Sequence, residues 1–447
     1  MTQLNVAQNY CVQMQIVQND FAFEPQQLFD MAMRINEKRR FLFVSKVLGK
    51  HLALAPEVPL LTARLLAHQF LQLPIPQGQA IAHALKTNEH VTELYQVVKH
   101  GQFHMTKPVR IIGFAETATA LGHGFFECFS GDVAYVHTTR EHLLDTAPIV
   151  TFEEEHSHAS THRLYGSPDF FVKDAHIVLV DDEMTTGQTN LNIIRQLHTR
   201  FPYLTNFTLV AILDWRTEAH LQAMHALAKE LQITIEAVSL LAGQIAVDIL
   251  QPLPEEVSAP NVASAPAAPI HRLQLTRMQS HRSKDEVDTS YDGRYFQWSG
   301  RFSMSASDQY NLQQKIPMLA KQIEPLRKGK SCLVIGTGEF MYVPLQLAIA
   351  LGQDVKFHAT TRSPILPHAE TVIYERFQFE SIEMPGVMNY LYNVPNEAYD
   401  TIFIVTERLF QPQAAQHLAE QLHEKCANIH IISFGGECNG TEYANNI

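Results

Sequence analysis

From His176 to Thr189 the chain passes through three kinds of residue in an order that admits few folds. Ile177-Val178-Leu179-Val180 is an apolar, β-branched run of strand length, and Asp181-Asp182-Glu183 then turns it acidic. Thr185-Thr186-Gly187 follows as a loop of hydroxyls with one glycine. A helix is predicted from Thr189, since Leu191, Ile194 and Leu197 recur at helical spacing. The loop therefore sits at a helix N-terminus, where unpaired backbone N–H groups and the positive end of the helix dipole hold a phosphate. Gly187 lets the backbone curl close to the anion, and the threonines add hydroxyl donors. Asp181 and Asp182 fall at the carboxyl end of the strand, where open α/β sheets bind ligands. Carboxylates repel a phosphate, so they should face ribose hydroxyls or a hydroxyl-bound Mg²⁺ on the same ligand. A sugar phosphate meets both demands. The bland alternative is an ordinary strand-to-helix turn with a capping threonine.

At 447 residues two domains are expected, each able to bury a core. A Pro/Ala/Ser-rich stretch at 251–270 reads as a linker, dividing 1–250 from 271–447. With 34 basic against 46 acidic residues the formal net charge is −12, which argues against a broad nucleic-acid footprint and leaves anion capture to local groups. No apolar stretch approaches the ~18 residues of a membrane span, and no signal-peptide pattern opens the chain. The 5 cysteines are scattered and lack metal-ligand spacing, pointing to a reducing cytoplasm. The Gln- and Asn-rich first thirty residues carry no legible signal. The segment from Glu37 to His51 runs from a basic cluster (Glu37-Lys38-Arg39-Arg40) into an apolar run and then Ser45-Lys46 and Gly49-Lys50. It reads either as a cationic lip over a diphosphate, with Lys46 or Lys50 turned inward, or as a solvated basic turn.

Residues 57–100 read as helices. Val109 to Gly124 is a second strand–loop–helix unit, with Phe114-Ala115-Glu116-Thr117 as its loop. Glu116 is out of place beside an anion unless it acts through Mg²⁺ or an inbound cation. Asp132 to Arg140 is a third strand, ending in Thr138-Thr139-Arg140; Arg140 meets phosphate or base, or only caps the turn. The polar stretch 153–163 holds Glu153, Glu154, Glu155, His156, His158, His162 and Arg163. It reads as a mobile flap rather than a metal site, because nothing fixes a tetrahedral set. Phe207 to Trp215 is a further buried strand.

The run Val178 to Gly187 resembles the phosphoribosyl pyrophosphate (PRPP) motif of type I phosphoribosyltransferases. The resemblance implies a Rossmann-like α/β fold with a flexible flap, Mg²⁺ as cofactor, and PRPP plus an unidentified base as partners. It implies that Asp181 and Asp182 contact the ribose hydroxyls, one of them also serving as a proton relay, and touch Mg²⁺ through the substrate. It assigns Thr185, Thr186, Gly187, Gln188 and Thr189 to the 5′-phosphate and Ala115, Glu116 and Thr117 to pyrophosphate. Lys46, Glu153 and Arg163 join as lip or flap. The first half is similar to orotate phosphoribosyltransferases.

The second half echoes the first. Ile335-Gly336…Glu339 answers Ile112-Gly113…Glu116, and Thr360-Thr361-Arg362 answers Thr138-Thr139-Arg140, with the spacing between the landmarks differing by one residue. The strand Thr401 to Arg408 takes the place of the PRPP strand but lacks its acidic pair and its Thr-Thr-Gly. Either the second α/β region is a diverged copy that has lost PRPP chemistry, or two units agree by chance; a different strand order would sink the first idea. Gly336, Gly338, Glu339, Thr361 and Arg362 form its candidate anion or partner site. Thr361-Arg362-Ser363-Pro364 is similar to the signature of the TRSP domain, found after a phosphoribosyltransferase domain in a bacterial family linked to tellurite-resistance and stress operons. That likeness runs from about residue 34 to the C-terminus. It implies phosphoribosyl transfer in salvage or stress, and leaves open a homodimer and operon partner proteins. The rival readings are a PRPP- or nucleotide-binding regulator without turnover and a stress-pathway interaction protein.

Overall fold

The apolar runs ending at Gly113, Val180 and Leu213 are buried on both faces, as strands covered by helices on two sides must be. They lie side by side in a computed structural model that describes residues 2–7, 9–35, 40–153, 161–251, 265–275, 277–284 and 290–435. The basic residues Lys38 and Arg39, most of the flap (154–160) and linker residues 252–264 lie outside the described residues.

The larger sheet runs in the order Thr2–Val6, Tyr10–Gln18, Thr234–Ile249, Asn206–Asp214, His176–Met184, Phe103–Gly113, Phe129–His137 and Met304–Ser305. The five strands from Thr234–Ile249 to Phe129–His137 are parallel. The outer ones pair antiparallel, including a hairpin built from the N-terminal residues. This is the Rossmann-like sheet of the type I phosphoribosyltransferase fold predicted above. Residues 57–100 form the helices Val58–Phe70, Ile75–Thr87 and Val91–Val98. The helix Thr119–Glu127 is buried along its whole length. Its glycines permit this: a Cβ on Gly122 would lie 2.9 Å from the Gly113 Cα, and one on Gly124 2.9 Å from a Leu60 methyl.

A second sheet runs Ile270–Arg272, Ile429–Gly435, Thr401–Arg408, Cys332–Gly336 and Val355–Ala359, all parallel. In both sheets the first strand of the unit has the second on one side and the third on the other, with the fourth beyond it. Both also insert an antiparallel hairpin between the second and third strands, Val150–Glu153 with Thr161–Leu164 and Arg376–Glu380 with Met388–Tyr392. The correspondence reaches single hydrogen bonds. Thr138 N–H donates to Gly113 O and its hydroxyl accepts from Ala115 N–H; Thr360 N–H donates to Gly336 O and its hydroxyl accepts from Gly338 N–H, each at 2.9 Å. Over these four strands the two sheets share one order, as a duplicated plan requires; beyond the fourth they differ, Thr234–Ile249 following it in the first sheet and Ile270–Arg272, from before the unit, flanking it in the second.

The halves interlock. Met304–Ser305 extends the first sheet, Met278–Lys284 pairs with His142–Leu143, and Ile365–Leu366 pairs with Phe29–Arg34. One apolar core runs through both.

Candidate functional site

The strand His176–Met184 pairs with Phe103–Gly113 only as far as Val180 opposite Gly113, but stays paired with Asn206–Asp214 to its last residue. Asp181 to Met184 thus lose one neighbour where the chain after Gly113 turns away. The strands on either side of this gap are wound in opposite directions, which makes it the sheet's switch point and a crevice at the carboxyl ends of the strands. Asp181, Asp182 and Glu183 lie half-buried at this strand end, with Asp182 N–H donating to Asp181 Oδ1 at 2.9 Å. They end the strand, as the sequence suggested, and the pairing with Asn206–Asp214 carries it on through Met184.

Beyond Met184 the chain bends through Thr185 and Thr186 to Gly187, whose φ of 72° suits glycine and caps the helix Gln188–Arg200. The helix begins one residue earlier than predicted. Gln188 therefore joins Thr189 in the first turn, its N–H donating to the Thr186 hydroxyl at 3.2 Å. Arg216, which sequence reasoning missed, packs against Gly187 with its Cδ 3.0 Å from where a Cβ would be. Asp214 holds it by two hydrogen bonds, Nε to Oδ1 at 2.9 Å and Nη2 to Oδ2 at 2.6 Å. Its signal was its position just past the end of a buried strand beside the acidic one.

The opposite wall is Phe114 to Thr117. Phe114 N–H donates to Val180 O at 3.0 Å, and the Ala115–Glu116 peptide is cis. Ala115 and Glu116 are buried and Thr117 half-buried. The inbound cation that Glu116 demanded is Lys50: the fully buried ammonium lies 2.8 Å from Glu116 Oε1 and donates to Gly338 O at 2.9 Å. Arg362 of the second half adds its backbone N–H, 3.2 Å from Oε1, and its guanidinium Nε, 3.8 Å from Oε2. Burial pushes the Glu116 carboxyl up, but the charges of Lys50, Arg140 and Arg362 and the Lys50 hydrogen bond outweigh it, so its pKa lies below the ordinary 4.5. Burial pulls the Lys50 ammonium below its ordinary value, with Glu116 opposing.

Lys46, the other lysine of that segment, is tied instead to Gln26 O at 2.9 Å and Asp30 at 3.7 Å. Glu153 ends its strand, and Arg163 pairs backbone to backbone with Thr139 while Nη1 donates to Arg140 O at 3.3 Å. In the second half the equivalent crevice, between Gly336 and Thr401–Arg408, is filled by protein. Glu339 accepts from Arg140 N–H at 2.8 Å and pairs with Arg301 at 3.1 Å, while Arg301 also pairs with Glu407. Burial raises the Glu339 carboxyl, but Arg301, His137 and two hydrogen bonds outweigh it and hold it at about 2. Glu383 accepts from the Thr337 and Thr406 hydroxyls and from Glu407 N–H, and Arg408 pairs with Glu141. Gly338 lends its carbonyl to Lys50, and Thr361 pairs with Tyr390. Among the described residues, no cluster of three or more His, Cys, Asp or Glu is placed to hold a metal, and no helix is long and apolar enough to cross a membrane.

The switch point of the first sheet thus sets an acidic pair between the turn that caps the helix Gln188–Arg200 and a loop whose one carboxylate, Glu116, is met by Lys50 and Arg362 from outside it. Residues 28–244 match the model of a phosphoribosyl transferase family, and residues 298–422 match the TRSP domain, described as C-terminal to it. Residues 28–244 are thus a phosphoribosyltransferase domain of this family, followed by its TRSP domain. Such proteins are enzymes that move phosphoribosyl groups from PRPP. No curated protein matches the chain. Among solved structures it is similar to an adenine phosphoribosyl transferase from Trypanosoma brucei, at 14% identity and TM-score 0.30, covering 54% of this chain and 87% of that one. The orotate phosphoribosyltransferase of Mycobacterium tuberculosis gives 10% identity and TM-score 0.23, covering 48% and 90%. At those values neither adds to the two domain matches. In this phosphoribosyltransferase domain Lys50 and Arg216, with Arg362 from the second half, lie beside the predicted loops without belonging to them.

Proposed function

We propose that the chain transfers the 5-phosphoribosyl group of PRPP to a ring nitrogen of a base and releases pyrophosphate, in a salvage- or stress-linked pathway of the cytoplasm. The supporting observation is the crevice at the switch point, with Asp181 and Asp182 between two anion-suited loops. In this reading the C1–O bond to diphosphate breaks with its electron pair leaving on pyrophosphate, and the nitrogen lone pair forms the new C1–N bond. Positive charge develops on C1 and the ring oxygen, as in glycoside cleavage. Asp181 and Asp182 hold the ribose hydroxyls, and one of them takes the proton that the acceptor nitrogen loses. The amides and hydroxyls of Thr185 to Thr189 bind the 5′-phosphate, fixing the ribose in line with the base. Ala115, Glu116 and Thr117 bear the pyrophosphate, with Lys50 and Arg362 countering the charge of Glu116.

Mg²⁺ fits the half-buried carboxylate oxygens of Asp181 and Asp182, the hard donors it takes alongside substrate oxygens. Bound there, it supplies neutralisation of the leaving diphosphate. Calorimetric titration with PRPP and Mg²⁺ tests the reading. Wild type should bind, and the Asp181→Asn/Asp182→Asn variant should lose most of that affinity while melting normally. Equal binding by the two proteins would remove the acidic pair from the site.

A further inference from the structure

Each half carries one glutamate in the loop after its first strand, and each glutamate is held by the other half. Glu116 accepts the backbone N–H of Arg362, and Glu339 accepts the backbone N–H of Arg140. Arg140 and Arg362 end the two matching Thr-Thr-Arg segments. Residue i meets j while j meets i, the signature of an isologous two-fold contact, here formed inside one chain. The buried helices of the two units pack along the same junction: Thr119–Glu127 meets Tyr342–Ala350, with His123 stacked on Tyr342 at 3.5 Å between centroids and 7° between planes. Tyr342 and Gln346 also donate to the buried carboxylate of Glu127 at 2.7 and 2.9 Å.

The two crevices so related are not alike inside. In the second, Arg301 sits between Glu339 and Glu407, while Arg408 reaches Glu141, and the strand-end residues Thr406, Glu407 and Arg408 are all buried. In the first, the strand-end carboxylates are half-buried. There the charges bearing on Glu116 come from outside its loop: Lys50, Arg140 and, from the second half, Arg362.

We propose that the C-terminal half is a built-in second subunit with no PRPP-type ligand of its own, which holds and charges the pyrophosphate end of the N-terminal pocket through Arg362. The proposal rests on the phosphoribosyl reading above. A lone glutamate in a pyrophosphate loop would repel the ligand. Pinned by the Arg362 amide and faced by the charges of Lys50, Arg140 and Arg362, it anchors the loop instead, and the fixed Arg362 guanidinium charge stays beside the diphosphate. Arg362 is a positioning residue by this account, so its removal should affect one end of the ligand only.

The test is calorimetry of the full chain with Mg²⁺–PRPP, Mg²⁺–pyrophosphate and ribose 5-phosphate, using wild type, Arg362→Ala and Arg362→Lys, with melting curves alongside. Wild type should bind one PRPP per chain. Arg362→Ala should weaken PRPP and pyrophosphate about tenfold, or about 1.4 kcal/mol, leave ribose 5-phosphate unchanged, and be largely rescued by Arg362→Lys. Two PRPP per chain would overturn the proposal, as would unaltered pyrophosphate binding by the alanine variant or an equal loss for ribose 5-phosphate. The stoichiometry and the lysine variant decide the matter even if the alanine variant does not fold. Wild type that binds neither PRPP nor ribose 5-phosphate defeats the functional reading itself, a result distinct from the others.

Discussion

Lys50 has no exposed surface, and its ammonium bridges Glu116 and the Gly338 carbonyl. Removing one member of a buried ion pair strands the other, at a cost of about 3 kcal/mol or more. Lys50→Met should therefore lower the unfolding free energy by about that much in urea titration, and adding Glu116→Gln should restore part of it. No recovery in the double variant would mean that the lysine acts by packing alone. The sequence offered Lys46 and Lys50 as equals, because two lysines four residues apart carry the same charge and nothing local tells them apart. Only the approach of the second half, with Gly49 at φ 75° against the Phe357 ring, turns Lys50 inward. Arg216 was illegible for a related reason: its value lies in touching Gly187, a contact between two separate strand ends. The acidic strand end and the Thr-Thr-Gly turn were legible because what marks them, an apolar run, then charge, then a glycine before a helical pattern, is local.

The helix Thr119–Glu127 shows what an element needs in order to lie between two sheets. With Gly122 this close to Gly113, a methyl group would meet backbone that cannot yield, and the Tyr135 ring lies 3.2 Å away. Gly122→Ala should cost about 2 kcal/mol by overpacking, although alanine is the better helix former. A thermal melt at or above the wild-type value would show that the helix can move aside. Strand, turn and helix order was readable along most of the chain, since β-branched runs bounded by glycine leave little choice. The N-terminal hairpin was missed for its Gln- and Asn-rich composition. The signal was there nonetheless: Val12, Met14 and Ile16 alternate with glutamines, and Tyr10, Val12 and Met14 are fully buried. The acidic pair was rightly placed at the end of its strand, and hydrogen bonding to Asn206–Asp214 carries that strand through Met184.

At the scale of the whole molecule, buried histidines set the acid limit. Burial, the leading cause at each, lowers His51 and His123 to about 3 and His137 and His358 to about 4, against an ordinary 6.5. Between those values the unfolded chain binds protons that the folded chain refuses. Stability is therefore complete above about pH 6.5 and falls as the pH drops toward 4, each group contributing up to about 1.4 kcal/mol per pH unit. Glu339, held at about 2, extends the loss below pH 4.5. Melting temperature should fall steeply between pH 6.5 and 4.5, and a flat profile there would contradict the burial of these rings.

The reciprocal grip of Glu116 and Glu339 also bears on inheritance. In a symmetric pair made from one gene, every substitution is made twice, so a pocket cannot be closed on one side without closing it on the other. Once both copies are written into a single chain, that constraint is gone. Asp181-Asp182 can be kept while the matching Thr406-Glu407 drifts to serve packing, and the mutual hold survives as long as Glu116 and Glu339 are kept, because its donors are backbone amides that any residue but proline supplies.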